Sequence, residues 1–292
     1  MKKWMYGISA AAAAMVVAGC AHVQSPEAKK PAGPLKVLAV GNSFSNNATR
    51  QLPALAAAAG KDLKVVRASI GGCDFERHVR HAEAYAADPE SKEGRPYGGK
   101  SLQEMLKSDV WDVVTIQQVS HKSFKPETFH PHADKLIAII RAQAPQAEIV
   151  VHQTWAYRDD HKFWGITNFN TDVMYAKVRA AYDGLAKMAR LRQIPSGDAM
   201  EAARRDAQWG PFLFGVPPTA RPEKALHGND GYHANVKGEY LQGCVWFEFL
   251  FGETVVGNTF VPKGMTPAET AILQRIAHEV VTEGRRPEPK SK

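Results

Sequence analysis

Short apolar runs alternate along the chain with longer stretches in which apolar residues recur every three or four positions. The runs predict β-strands near residues 36–40, 63–68, 112–117, 148–153 and 193–196. The periodic stretches predict helices near residues 49–59, 75–87, 102–107, 132–144 and 173–191. Strands joined by crossover helices pair in parallel, so the pattern predicts an α/β fold. We expect a three-layer α/β/α sandwich around a central parallel sheet of about five strands.

Polar or glycine-rich segments follow the first three predicted strands. Ser43 follows the first strand, Gly72 the second and Gln118 the third. The carboxyl ends of parallel strands meet at one edge of a sheet, which is where such folds bind ligands. A helix is predicted to follow Ser43, and backbone N–H groups at a helix start stabilise a developing oxyanion. The pattern therefore places a candidate site at this edge.

A second polar segment, Asp230-Gly231-Tyr232-His233, lies near the other end of the chain. An acid three residues before a histidine accepts from Nδ1–H and leaves Nε2 free to face a serine hydroxyl. A serine becomes a nucleophile only beside such a base. The two segments together predict Ser43 as nucleophile, His233 as base and Asp230 as orienting acid. Ser45 is a weaker alternative nucleophile because it lies further into the predicted helix.

On these residues the chain resembles the SGNH hydrolases, the GDSL-type esterase superfamily, over about residues 35–255. The serine block is Val-Gly-Asn-Ser-Phe-Ser at 40–45, where Asn42 replaces the usual acid. The glycine block is Ser-Ile-Gly-Gly-Cys at 69–73, and residues 230–233 match the last block. Gly-Asn-Ser-Phe-Ser, Gln-Gln at 117–118 and Gln-Thr-Trp at 153–155 are similar to a bacterial subgroup without an assigned function. The resemblance implies an SGNH-hydrolase (flavodoxin-like) fold and ester hydrolysis without cofactor or metal.

The same resemblance implies which groups bind the oxyanion. The backbone N–H groups of Ser43 and Gly72 match two donors of the superfamily. Its third block usually supplies an Asn side chain, but residues 117–121 here are Gln-Gln-Val-Ser-His. A Gln amide offers the same N–H on an arm one methylene longer, so we expect Gln118 as the third donor. Gln117 and Ser120 stay open as alternatives.

Residues after the fourth strand are candidates for the wall of the pocket. Trp155 and Tyr157 could stack on a sugar face, and Gln153 could donate to a hydroxyl. Core packing of both aromatic side chains is an equal alternative.

The first twenty residues have the features of a bacterial lipoprotein signal. Lys2 and Lys3 precede an apolar stretch, and Val17-Ala18-Gly19-Cys20 resembles a lipobox. We expect a signal peptide at 1–19, lipidation of Cys20 and a flexible tether at 20–34; an ordinary secretory signal or a short anchor is the alternative. Ala21, and not an acid, follows the cysteine, which resembles the pattern of lipoproteins sorted to the outer membrane in organisms that have one. The expected location is the cell envelope, with the membrane as a partner through the lipid.

Composition adds a few constraints. One hydrolase-like domain at 35–285 and a flexible tail at 286–292 account for the rest of the chain. The formal charge of +7 is modest, and without a basic helix it gives no support to nucleic-acid binding. Cys73 and Cys244 could pair or stay as buried thiols, the slightly favoured outcome. His130 and His132 indicate a helix start rather than a metal site.

The sequence thus predicts a lipid-anchored serine esterase that acts on small acyl esters, with O-acetyl groups on carbohydrate as the preferred target. Two alternatives stay open. A lipase or thioesterase would use the same three residues with a broad acyl groove. A non-catalytic carbohydrate-binding lipoprotein would retain the fold, and the missing Asn gives that alternative some support.

Overall fold

The computed structural model describes Met1 and residues 33–165, 169–210 and 224–282. The chain divides into two compact units, Met1–Gly33 and Pro34–Lys292. Ser43, Asp230 and His233 all belong to the second unit. Cys20 and the predicted tail at 286–292 lie outside the described residues, so the lipid anchor and the domain boundaries stay predictions.

The described residues contain a five-stranded parallel sheet. Its strands are β1 (Leu35–Gly41), β2 (Leu63–Ser69), β3 (Val113–Ile116), β4 (Glu148–His152) and β5 (Arg192–Ile194), in the spatial order β2-β1-β3-β4-β5. All of β3 and the last five residues of β1 are buried. Because successive side chains point to opposite faces, both faces of the sheet centre are covered. The predicted α/β class and strand number are confirmed.

The helices lie between and after the strands. They are α1 (Ser43–Arg50), α2 (Leu52–Ala58), α3 (Phe75–Ala87), α4 (Leu102–Lys107), α5 (His132–Gln143), α6 (Thr171–Ala189), α7 (Ser196–Arg205), α8 (Val236–Phe251) and α9 (Pro267–Thr282). Short 3₁₀ turns occupy Pro126–Thr128 and Lys162–Gly165. Helix α8 packs against α1, α2, α7 and α9, while α3, α4 and α5 pack against one another.

Strand β1 has a neighbour on each side, and this position determines where the candidate site forms. Gly41 is paired in register with Ser69 of β2, and Val40 with Ile116 of β3. The turn that leaves β1 is therefore flanked by the turns that leave β2 and β3. Ser43 consequently emerges between the Gly72 loop and the Gln117-Gln118 segment.

The prediction of one continuous helix over 49–59 was wrong. Helix α1 begins at Ser43, and α2 begins after Gln51. Pro53 has no N–H to donate to the carbonyl of Thr49, so the helical ladder is interrupted there. The Thr49 carbonyl instead accepts from Arg67 Nη2 at 3.0 Å.

Helix α8 was not predicted, and its environment explains why. Every residue from 238 to 248 is buried. A helix that is covered on all sides lacks the alternation of apolar and polar positions by which an amphipathic helix is recognised. Capping boxes, in which the side chains of a serine or threonine and of a glutamate three residues later each bond to the other's backbone N–H, stand at Ser101 with Glu104 and at Thr266 with Glu269.

The cysteines and the apolar segments complete the description. Within the described part of the chain, Cys73 and Cys244 are free thiols and both are buried. Burial raises the pKa of the Cys73 thiol to about 12, because a thiolate there would be desolvated. In the same residues no helix combines the length and the apolar character that crossing a membrane requires.

Candidate active site

The turn after β1 presents Ser43 as the first residue of α1. Asn42 caps this helix: its Oδ1 accepts from Phe44 N–H at 3.0 Å. The Nδ2 group of Asn42 donates to the carbonyl of Cys73 at 2.9 Å. An aspartate could make the cap but could not make this second bond. Asn42 therefore ties the serine turn to the loop that contains Gly72.

Gln117 holds the same turn from the side of β3. Its Oε1 accepts from Ser45 Oγ at 2.9 Å, from Ser45 N–H at 3.0 Å and from Asn42 N–H at 3.4 Å. Its Nε2 donates to the Gln118 carbonyl at 2.6 Å. A Cβ on Gly41 would lie 2.4 Å from Ser45 Oγ and 2.7 Å from Gln117 Cγ, so only glycine fits there. The Gly-Asn-Ser-Phe-Ser and Gln-Gln strings thus form one packed unit, in which Ser45 is buried while the Ser43 hydroxyl makes none of these bonds.

The turn at residues 230–233 orients the imidazole of His233. Asp230 Oδ2 lies 2.7 Å from His233 Nδ1, and Asp230 Oδ1 accepts from the N–H groups of Tyr232 and His233 at 3.1 and 3.0 Å. Burial raises the pKa of Asp230, but the hydrogen bonds from His233 and the two backbone N–H groups outweigh it. The pKa therefore lies below the ordinary value for aspartate. An ionised carboxylate accepts only, so Nδ1 carries the proton and Nε2 is left as an acceptor.

The two distant segments meet. Ser43 Oγ lies 2.7 Å from His233 Nε2, although 190 positions separate these residues in the sequence. The structure thus brings together the three predicted residues, Ser43, His233 and Asp230, in the hydrogen-bonded order that nucleophilic catalysis requires. Their catalytic roles stay a prediction.

The Gly72 loop borders this arrangement. Ile70 N–H donates to the Gly41 carbonyl at 3.2 Å, which together with the Asn42 bond holds the loop beside Ser43. Gly72 has φ +60°, a conformation that a residue with a side chain rarely adopts. Neither the Ser43 nor the Gly72 backbone N–H donates to any acceptor among the residues that the structure describes. Both are therefore available to a developing oxyanion.

The expectation that Gln118 donates to an oxyanion is corrected. Its side chain is fully buried, and its Nε2 donates to Thr128 O at 3.0 Å and to Thr128 Oγ1 at 3.3 Å. Its Oε1 accepts from the N–H groups of Phe75 and Val119. The amide therefore stabilises its own loop. The amide of Gln117, the first alternative, is also hydrogen-bonded within the protein, as described above. The hydroxyl of the second alternative, Ser120, bonds to Tyr157 Oη at 2.9 Å.

The substrate-binding roles expected for Gln153, Trp155 and Tyr157 are corrected as well, because all three side chains are buried. Gln153 Oε1 accepts from Asp198 N–H at 3.0 Å, and its Nε2 donates to the Asp198 carboxylate at 3.3 Å. Trp155 stacks on Phe44 with 4.3 Å between ring centroids. Residues that leave the end of a buried parallel strand continue into the core here, so core packing was the correct alternative.

Two residues that support the base were missed in the sequence. The Arg158 backbone N–H donates to the Gly231 carbonyl at 2.8 Å, and Arg158 Nη1 donates to the Gly228 carbonyl at 2.6 Å. Asn47 Oδ1 accepts from Ala234 N–H at 3.3 Å. These bonds join positions at least 70 residues apart, so no local sequence pattern indicates them.

Comparisons with known proteins agree with this architecture. The sequence model of DUF4886, a domain of unknown function, matches residues 36–280. No curated protein sequence matches the chain. A DUF4886 protein from Bacteroides uniformis has a similar structure at 26% identity and TM-score 0.73, covering 88% of this chain and 98% of that one.

Two more distant structures are similar over most of their length. One, from Slackia heliotrinireducens and provisionally assigned to the SGNH hydrolases, has 20% identity and TM-score 0.53, covering 74% of this chain and 98% of its own. The other, an acetylxylan esterase from Geobacillus stearothermophilus, has 13% identity and TM-score 0.46, covering 76% and 97%. The former supports the SGNH-type fold, and the latter is too distant to bear on the argument.

Proposed function

The chain belongs to the DUF4886 family, whose function is unknown, and from the geometry around Ser43 we propose that the protein is a serine esterase for small acyl esters. The observation that carries the proposal is the continuous hydrogen-bonded chain of Ser43 Oγ, His233 and Asp230, with both links at 2.7 Å. The His233 imidazole that faces Ser43 is partly exposed, and its other nitrogen is held by the Asp230 carboxylate. That arrangement is the one that activates a hydroxyl for attack on a carbonyl.

The reaction follows from the positions of the protons. Ser43 Oγ attacks the ester carbonyl while His233 Nε2 accepts the hydroxyl proton, and Asp230 stabilises the resulting imidazolium. Negative charge develops on the former carbonyl oxygen, and we assign its stabilisation to the N–H groups of Ser43 and Gly72. His233 then donates its proton to the leaving alcohol. Water, deprotonated by the same nitrogen, then attacks the acyl carbon; the bond from that carbon to Ser43 Oγ breaks, Ser43 Oγ takes back the proton from His233, and the acid leaves.

The oxyanion hole that we propose consists of two backbone N–H donors, those of Ser43 and Gly72. It lacks the side-chain amide that SGNH hydrolases usually supply from their third sequence block. Removal of one such donor from a serine hydrolase costs about 10²–10³-fold in rate. We therefore expect an enzyme that is active but slower than relatives with three donors. The positive end of α1, at whose first residue Ser43 stands, supplies part of the missing stabilisation.

The substrate and location that we propose rest on the sequence. We propose O-acetyl groups on carbohydrate as the natural substrate, because a lipid at Cys20 would hold the enzyme at the cell envelope. Hydrolysis rates on p-nitrophenyl esters of increasing acyl length test the acyl preference: a maximum at acetate supports it, and a maximum at long chains favours a lipase. Incorporation of labelled palmitate that is lost in Cys20→Ser tests the anchor.

A fluorophosphonate probe tests the nucleophile. Wild-type protein is expected to be labelled, and Ser43→Ala is expected to lose labelling while keeping its melting temperature. Trypsin cleaves after Lys36 and Arg50, so one peptide contains both Ser43 and Ser45; fragment ions must therefore place the adduct on Ser43. An unlabelled wild-type protein would favour the non-catalytic binding protein.

A further inference from the structure

The peptide bond that precedes His233 is hydrogen-bonded on both sides. Its N–H donates to Asp230 Oδ1 at 3.0 Å, and its carbonyl, which belongs to Tyr232, accepts from Trp155 Nε1 at 2.8 Å. The orientation of this peptide plane sets φ of His233 and hence the direction in which its side chain leaves the backbone. Trp155 therefore helps to determine where the imidazole lies.

The peptide bond that follows His233 is held in the same way. The carbonyl of His233 accepts from Gly228 N–H at 2.8 Å, and the N–H of Ala234 donates to Asn47 Oδ1 at 3.3 Å. The backbone around the base is thus fixed at four polar groups. Trp155 makes the shorter of the two side-chain bonds that reach this segment from other elements.

The hydrogen bond to Tyr232 leaves from the edge of the Trp155 ring, and a face of the same ring contacts the helix that carries the nucleophile. Its ring stacks on Phe44, at 4.3 Å between centroids and 22° between planes, and Phe44 follows Ser43 in α1. Trp155 is fully buried and Phe44 nearly so. A single rigid ring therefore touches both segments whose separation decides whether Ser43 Oγ and His233 Nε2 can bond.

We propose that Trp155 is a positioning residue that sets the distance between Ser43 Oγ and His233 Nε2. The inference rests on the proposed function and deepens it. Because the indole N–H is part of the ring that stacks on Phe44, the hydrogen bond and the stack cannot be adjusted independently. A misplacement of about 1 Å between reacting groups lowers a rate by about 10²-fold. This role also gives a reason for the tryptophan in the Gln-Thr-Trp string.

Trp155→Phe tests the proposal, with Trp111→Phe as a matched control. Phenylalanine at 155 keeps a ring against Phe44 but leaves the Tyr232 carbonyl without its donor. Trp111 is also buried and also donates through Nε1 to a carbonyl, that of Met105 at 3.0 Å, but it precedes β3 at the opposite edge of the sheet. Both variants lose one buried indole bond, so their losses in unfolding free energy should be similar.

The expected difference lies in turnover. Trp155→Phe should lower kcat on p-nitrophenyl acetate at least about 10-fold, with KM changed less than about twofold. Trp111→Phe should keep the wild-type kcat. Equal kcat values for the two variants would overturn the proposal. If Trp155→Phe does not fold, Phe44→Leu removes the stack from the other side, and an unchanged kcat there would overturn it equally.

A second measurement separates this inference from the proposed function. Imidazole ¹⁵N spectra, with His233 assigned by its loss in His233→Gln, report the ring without any turnover. The His233 signals should shift in Trp155→Phe and stay unchanged in Trp111→Phe. A wild-type protein without esterase activity would refute the proposed function while these spectra still decide the positioning role. Unchanged His233 signals in Trp155→Phe would refute that role.

Discussion

Replacement of Gln117 by alanine should lower the free energy of unfolding more than an ordinary surface substitution does. It should also lower kcat. Gln117 is fully buried and makes four hydrogen bonds, three through Oε1 and one through Nε2. In Gln117→Ala, the N–H groups of Asn42 and Ser45 are left without an acceptor. The Ser45 hydroxyl also loses its acceptor but can rotate, and the Gln118 carbonyl keeps the Tyr182 hydroxyl at 3.4 Å. At about 1–3 kcal/mol for each buried group left unpaired, the expected loss of unfolding free energy is about 2–6 kcal/mol. This is a large part of the roughly 5–15 kcal/mol that stabilises a typical domain.

Urea denaturation measures this loss, and Gln103→Ala is a suitable control. Gln103 is also buried, but its Nε2 makes one hydrogen bond, to the Ala82 carbonyl at 2.7 Å, and its Oε1 has no partner among the described residues. Its removal should cost about 1–3 kcal/mol and leave kcat unchanged. Gln117→Ala should in addition lower kcat, because the turn that presents Ser43 loses its support.

A double-mutant cycle makes the comparison stricter. Ser45→Ala removes one of the donors to Gln117, so the losses caused by Ser45→Ala and Gln117→Ala should not add. We expect a coupling of about 0.5–3 kcal/mol. The reasoning is refuted if Gln117→Ala is no less stable than Gln103→Ala at equal denaturant dependence, or if the cycle shows no coupling.

Three further predictions concern charge and access. Asp230→Asn should keep the fold but lower kcat by about 10²–10⁴-fold, because an amide no longer enforces the proton on Nδ1 of the base; a kcat near wild type would contradict the assigned orientation. Burial lowers the pKa of His78 to about 4 and that of His152 to about 3, from 6.5. Unfolding below pH 6.5 therefore takes up protons. The contribution of these two histidines to the free energy of unfolding is fully present above pH 6.5, and the free energy of unfolding falls as the pH drops toward the folded-state values, by up to about 1.36 kcal/mol per pH unit for each histidine. Urea titrations near pH 7 and pH 4.5 should show this fall, and His152→Phe should reduce it; an unchanged slope would show that His152 does not titrate as a buried group. Cys73 and Cys244 should resist iodoacetamide in the native protein and react in urea, as peptide masses will show; alkylation of the native protein would contradict their burial.

The sheet was largely predictable because its strands are short apolar runs separated by longer periodic stretches. Helix α8 was not, since burial on all sides removes the periodic signal that identifies a helix. The break at Gln51 depended on Pro53 and on a partner for the Thr49 carbonyl, Arg67, that is supplied from β2. Local patterns therefore gave the layers of the fold, and tertiary packing decided the interruptions.

The candidate site divides along similar lines. Ser43, Asp230 and His233 could be found because their chemistry demands recognisable residue types within short segments. Gln117, Gln118 and Trp155 could not be interpreted correctly, because a buried amide or indole is defined by partners far away in sequence. A strand end offers both a pocket wall and a path into the core, and only the packing of Trp155 against Phe44 distinguishes the two.

A crystal structure of the protein after reaction with a fluorophosphonate tests the central claim most directly. The account predicts a covalent bond between phosphorus and Ser43 Oγ, His233 Nε2 within hydrogen-bond distance of that oxygen, and the phosphoryl oxygen between the N–H groups of Ser43 and Gly72. An adduct on another residue, or a phosphoryl oxygen that contacts neither N–H group, would contradict it.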